Sequence, residues 1–145
     1  IQERHEEAIS IFGTLLADHP NEPNVWNDMA VSYGELGEIK LALYAHRQAV
    51  ESAEQDPLYA DGTDFMQDYI TYCQLAGVVL ECLDGYDALF AKAPTLEYEH
   101  QKKNAAYVLR DAAVALEDAG DTMRAARAAT LSAQLVANLT ADQLQ

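Results

Sequence analysis

Glycine, proline and aromatic residues are all scarce in this chain. Seven glycines, four prolines and an aromatic share of 8% among 145 residues leave little of the turn chemistry and strand-forming character that a sheet protein needs. Alanine recurs instead, and half the residues are apolar, which favours helices. No apolar run approaches the roughly 20 residues of a membrane span, and no signal-like segment opens the chain. Bases are few as well: 9 Lys and Arg stand against 24 Asp and Glu, for a formal charge of −15. A phosphate backbone or an anionic membrane would be repelled, which excludes nucleic-acid binding. Two readings of the acidity stay open, a basic polypeptide partner and solubility or adaptation to a saline environment.

Only two cysteines are present, Cys73 and Cys82. On one helix they would lie about 13 Å apart along the axis, and on two arms of a hairpin their side chains need not face each other. The sequence therefore predicts buried free thiols in a reducing compartment, and a cytoplasmic protein. The sequon Asn138-Leu139-Thr140 is set aside on the same ground.

Against this sparse background, three of the glycines share one frame. Gly37, Gly77 and Gly120 each follow a large apolar residue by eleven positions (Trp26, Met66, Leu109), and each precedes a small one by five (Ala42, Cys82, Ala125). Glycine enters the left-handed conformation that ends a helix at little cost, so each frame reads as helix, tight turn, helix. The small residue then lets the two backbones approach. Between these marks the period is helical: Trp26, Met29, Ala30 and Tyr33 make one apolar stripe, Met66, Tyr69, Ile70 and Cys73 the next, and Leu109, Ala112, Ala113 and Leu116 the third. The second helices continue with Leu43, Ala49 and Val50, with Tyr86 and Leu89, and with Ala129 and Ser132.

Punctuation sets the boundaries. Pro23, Pro57, the Asp61-Gly62-Thr63-Asp64 segment and Pro94-Thr95 mark ends, with Asp61, Thr63 and Thr95 as candidate N-caps. Helices are expected at 3–18, 24–36, 38–55, 63–76, 78–92, 96–119 and 121–139.

The first frame resembles the tetratricopeptide repeat family, whose pattern is Trp-x2-Leu-Gly-x2-Tyr, then Ala-x3-Phe, then Pro, with a period of about 34 residues. Trp26, Met29, Ala30 and Tyr33 match its opening and Ala42 its small slot, while His46 stands where the pattern has an aromatic. Ala8, Phe12 and Pro20 match the second half of an earlier repeat, and Ala8 to Ala42 spans 34 residues. The next intervals, 40 and 43 residues, imply insertions between hairpins. The resemblance implies an all-α fold, a right-handed superhelix of antiparallel hairpins with about three and a half repeats and seven helices. Within one domain, 1–20 would be the second helix of an incomplete repeat, and 23–57, 63–94 and 96–139 the hairpins. The unpaired first helix reads as part of a longer protein.

In the resembled family the first helices line a groove that holds a partner. Projected here, the lining is Asn24, Asn27, Asp28, Val31 and Glu35; Asp64, Gln67, Asp68, Thr71 and Gln74; and Tyr107, Arg110, Asp111, Val114, Glu117 and Asp118. This polar, mainly acidic lining predicts a basic or neutral protein or peptide partner, and it excludes the acidic chaperone tails that some members clamp. The plain alternative is that these are the solvated faces of amphipathic helices. Leu131, Leu135 and Leu139 are expected to form an exposed apolar edge suited to a homodimer through the C-terminal helix. No catalytic set, metal site or cofactor motif is expected: His5, His19, His46 and His100 are scattered, and Asp56, Asp61, Asp64 and Asp68 lack the alternation of a calcium loop. The expected function is a non-catalytic interaction scaffold, with a regulatory or oligomerisation segment of a larger sensor, enzyme or secretion protein as the alternative.

Overall fold

Glycine ends three of the helices in the same way. In the computed structural model, which describes residues 1–56, 58 and 63–139, Gly37, Gly77 and Gly120 have φ of 75°, 71° and 92°. The Gly37 N–H donates to Gly34 O at 3.0 Å and the Glu38 N–H to Tyr33 O at 2.9 Å. Gly77 and Val78 repeat that pair of bonds onto Gln74 and Cys73, and Gly120 and Asp121 repeat it onto Glu117 and Leu116. These are three Schellman turns, each satisfying carbonyls that a helix end would otherwise leave unpaired.

Among the described residues there are seven α-helices: α1 (Gln2–Asp18), α2 (Pro23–Glu35), α3 (Ile39–Gln55), α4 (Thr63–Ala76), α5 (Leu83–Lys92), α6 (Glu99–Asp118) and α7 (Thr122–Ala137). Short 3-10 turns at Val79–Cys82 and Ala93–Thr95 flank α5. No strand occurs among the described residues, whose regular structure is all helical. Pro23 is the first residue of α2, where a missing N–H costs nothing. Pro57, Asp61 and Gly62 lie outside the described residues.

The helices group into two compact units, Ile1–Tyr72 and Cys73–Gln145. In the first, α2 packs on both α1 and α3. Ala42 is wholly buried, as the close-approach slot requires, and Met29, Ala30, Leu43 and Ala49 join it in the core. Residues 63–72 of α4 close over this core: Phe65 packs with Ala49, Ala53 and Trp26. Gly34 permits the crossing, because a Cβ there would come within 2.9 Å of the Tyr72 ring. Phe12 is half-buried and Leu16 buried on α1, whereas Ile11 and Leu15 are exposed.

In the second unit α6 packs along α7, and Leu109, Ala112, Leu116, Ala125 and Ala128 are buried. Asp121 caps α7 by accepting from the Arg124 N–H at 3.1 Å. The Arg124 guanidinium then clamps α7 to α5, reaching both Asp87 carboxylate oxygens at 2.8 Å and Asp121 at 2.9 Å. Those bonds hold the Asp87 and Asp121 carboxyls below the usual carboxylate range.

Six expectations are corrected here. Cys73 and Cys82 are not free thiols: they form a disulfide, with Cα atoms 6.4 Å apart. The Schellman turn at Gly77 folds the chain back at once, so the two seam positions of this hairpin meet. Leu131, Leu135 and Leu139 form no exposed edge, being only 2%, 5% and 9% exposed. Ala93 and Leu96, both buried, line one pocket together with Leu131 and Leu135, because the chain between α5 and α6 crosses α7 there. That chain is a 3-10 turn followed by extended residues Leu96 and Tyr98, so α6 starts at Glu99 and not at 96. Thr95 consequently caps no helix; its hydroxyl donates back to Lys92 O at 2.7 Å. Finally, α5 starts at Leu83 after the 3-10 turn, and Ala128 takes the buried position expected for Ala129, which is exposed.

Candidate functional site

The projected groove residues divide between the two units, and each set stands on its own helices. None of them is buried. On α2 and α4, Asn24, Asp28, Val31, Glu35, Asp64, Asp68 and Thr71 are exposed, and Asn27 and Gln67 are half-buried. Helical spacing explains this: these positions sit one step off the stripe of Met29, Ala30, Met66 and Ile70, so they border the core without entering it.

The structure brings α2 and α4 together at a polar contact, where Asn27 Nδ2 donates to Asp68 Oδ2 at 3.2 Å. Partial burial and the nearby Asp64 charge push the Asp68 carboxyl above its ordinary range, while the Asn27 bond pulls the other way. The rest of the contact is unbalanced. Asn27 Oδ1 and Gln67 Nε2 are buried without a hydrogen-bond partner among the described residues. One is an acceptor and the other a donor, the two functions a backbone peptide group would satisfy. Buried polar atoms left unpaired cost about 1–3 kcal/mol each, so their presence beside an acidic surface sets this patch apart from an ordinary solvated face.

In the second unit, Tyr107, Arg110, Asp111, Val114, Glu117 and Asp118 form an exposed face of α6. Arg110 lies over the Tyr107 ring at 5.4 Å and within 3.8 Å of Asp111, so its charge is held locally. Gln74 is occupied internally, its amide donating to Tyr86 Oη at 3.1 Å.

One titratable group escaped the sequence reading as a special residue. His46 is 3% exposed and lies against the rings of Tyr69 and Tyr72, with centroids 6.0 and 5.3 Å away. Burial lowers its pKa to about 4, and its Nδ1 has no partner among the described residues. The signal was present, since His46 occupies the aromatic slot of the Ala-x3-Phe pattern. Asn138 is exposed, and the disulfide removes the argument that set its sequon aside; Thr140 lies outside the described residues.

Among the described residues no group of three or more His, Cys, Asp or Glu side chains is placed to hold a metal ion, and no helix is long and apolar enough to cross a membrane. No family model matches the chain, and neither does any curated protein.

Proposed function

We propose that the chain is a tetratricopeptide-type scaffold, non-catalytic, which holds a basic or neutral polypeptide segment against the first helices of its hairpins. The observation that carries the reading is the α2–α4 contact: a hydrogen-bonded Asn27–Asp68 pair, an acceptor on Asn27 and a donor on Gln67 without partners among the described residues, and the exposed acids Asp28 and Asp64 on the same two helices. Unpaired amides suit an incoming backbone, and the acids suit a cation beside it. Support for a repeat architecture comes from the three identical glycine turns, each closing one hairpin.

The alternative, an oligomerisation or regulatory segment, loses one motive because Leu131, Leu135 and Leu139 are covered. It keeps another in exposed Ile11 and Leu15. Cytoplasmic placement rested on free thiols, and the disulfide argues instead for an oxidising compartment.

Replacing Asp28, Asp64 and Asp68 together by Asn tests the function. Association with the partner retrieved from native extract should slow by roughly tenfold at low salt, and the difference should vanish at high salt. The helical circular dichroism should not change. An on-rate indifferent to both the substitutions and the salt would place binding elsewhere.

A further inference from the structure

A second, separate recess lies wholly within the unit Cys73–Gln145. It is an open cavity of about 460 Å³ with two walls. One is the turn after α4, carrying Val78, Val79, Leu80 and Glu81; the other is the last turn of α6, carrying Ala115, Asp118 and Ala119. Leu80 is 55% exposed, and Val78 and Val79 are partly exposed. Such side chains in a recess leave apolar surface uncovered, whereas a plain solvated turn would be polar.

The electrostatics of the recess have one sign. Among the described residues that line it, the charged ones are Glu81 and Asp118. Both α4 and α6 also end at this recess, at Ala76 and Asp118, and a helix C-terminus carries negative partial charge. Two helix ends and two carboxylates around an apolar floor are complementary to a cation borne on a long aliphatic stem. The wall is also rigid, since the disulfide between Cys73 and Cys82 encloses every residue from Gln74 to Glu81, and both cysteines are fully buried. A closed ring of this kind loses little freedom when a ligand orders it.

We infer that this recess anchors a single Lys or Arg side chain of a partner polypeptide, with its methylenes against Val79, Leu80 and Ala115 and its charge between Glu81 and Asp118. This inference rests on the reading of the chain as a polypeptide-binding scaffold and names the side chain taken by one of its subsites.

The stem separates this site from general attraction to an acidic protein, because a short cation feels the net charge equally but cannot span the apolar floor. The probes are short blocked peptides of Ala and Ser with one central residue: Lys, the shorter-stemmed diaminobutyrate, or norleucine, compared at about pH 6.5 or below, where both amines are charged. Amide spectra of the intact chain should show Gly77, Val79, Leu80 and Ala119 shifting saturably with the Lys peptide. Binding should be about fivefold weaker for diaminobutyrate, and weaker again for norleucine. The Glu81→Gln, Asp118→Asn double variant, altered only at exposed positions, should lose roughly tenfold for Lys and nothing for norleucine. Equal affinity for the long and short stems overturns the inference. Shifts confined to Asn27, Gln67 and Asp68 would also overturn it, while leaving the scaffold reading intact; absence of binding at either place would sink both.

Discussion

His46 shows how one residue can keep a fold and change its chemistry. Its ring fills an aromatic slot and lies against Tyr69 and Tyr72, but its Nδ1 is buried without a partner among the described residues. Because burial lowers its pKa from 6.5 to about 4, the unfolded chain binds a proton that the folded chain refuses in that window. Stability is therefore complete above pH 6.5 and falls as the pH drops towards 4, by about 3 kcal/mol from this group. Asp68 works in the opposite direction, since its raised pKa favours the folded state as acid is added. The two are separated by substitution: His46→Phe should remove the His46 share of the acid loss and raise stability at neutral pH. Denaturant titrations of both proteins from neutral to mildly acidic pH will show whether the curves diverge on the acid side. Parallel curves would mean that His46 is protonated in the folded state.

Among the elements, the hairpins were the most legible part of the sequence. Three glycines in one frame predicted three left-handed turns, and each turn carries the same pair of backbone bonds. The first four helices fall within a residue or two of their expected bounds, because their stripes are continuous and Pro23 marks a start. The stretch from Val78 to Tyr98 was less legible. Its two 3-10 turns obey no 3.6-residue period, and Cys82, Ala93 and Leu96 are buried from irregular backbone while Leu80 is exposed. The disulfide was readable in principle: Cys73 stands four residues before Gly77 and Cys82 five after it, which are the facing seam positions of the frame. Sequence separation alone obscured that. Closing so short a loop constrains the unfolded chain by roughly 2–3 kcal/mol, so the Cys73→Ala, Cys82→Ala variant should unfold at correspondingly lower denaturant. A midpoint unchanged by that double substitution would mean that the bond adds nothing to stability.

For the molecule as a whole, the acidic balance was plain from composition, but its placement was not. The sequence put the candidate partner-binding residues on first-helix faces, and their exposure follows from helical spacing. Which of them interact depends on side chains meeting between helices, as Asn27 and Asp68 do across 41 positions, and no local pattern encodes that. The unpaired atoms of Asn27 and Gln67 were invisible for the same reason, since burial of a single atom is a property of packing.

The covalent link in the middle of the chain also has a mechanical side. A polypeptide drawn out by its ends lengthens by about 3.4 Å for every residue released, but the stretch between Cys73 and Cys82 lies behind a bond that force does not readily break. Its two Cα atoms stay 6.4 Å apart however hard the termini are pulled. In single-molecule stretching, the oxidised chain should therefore reach full extension about 25 Å short of the reduced one. Equal extensions would show that the link is absent from the molecule under tension.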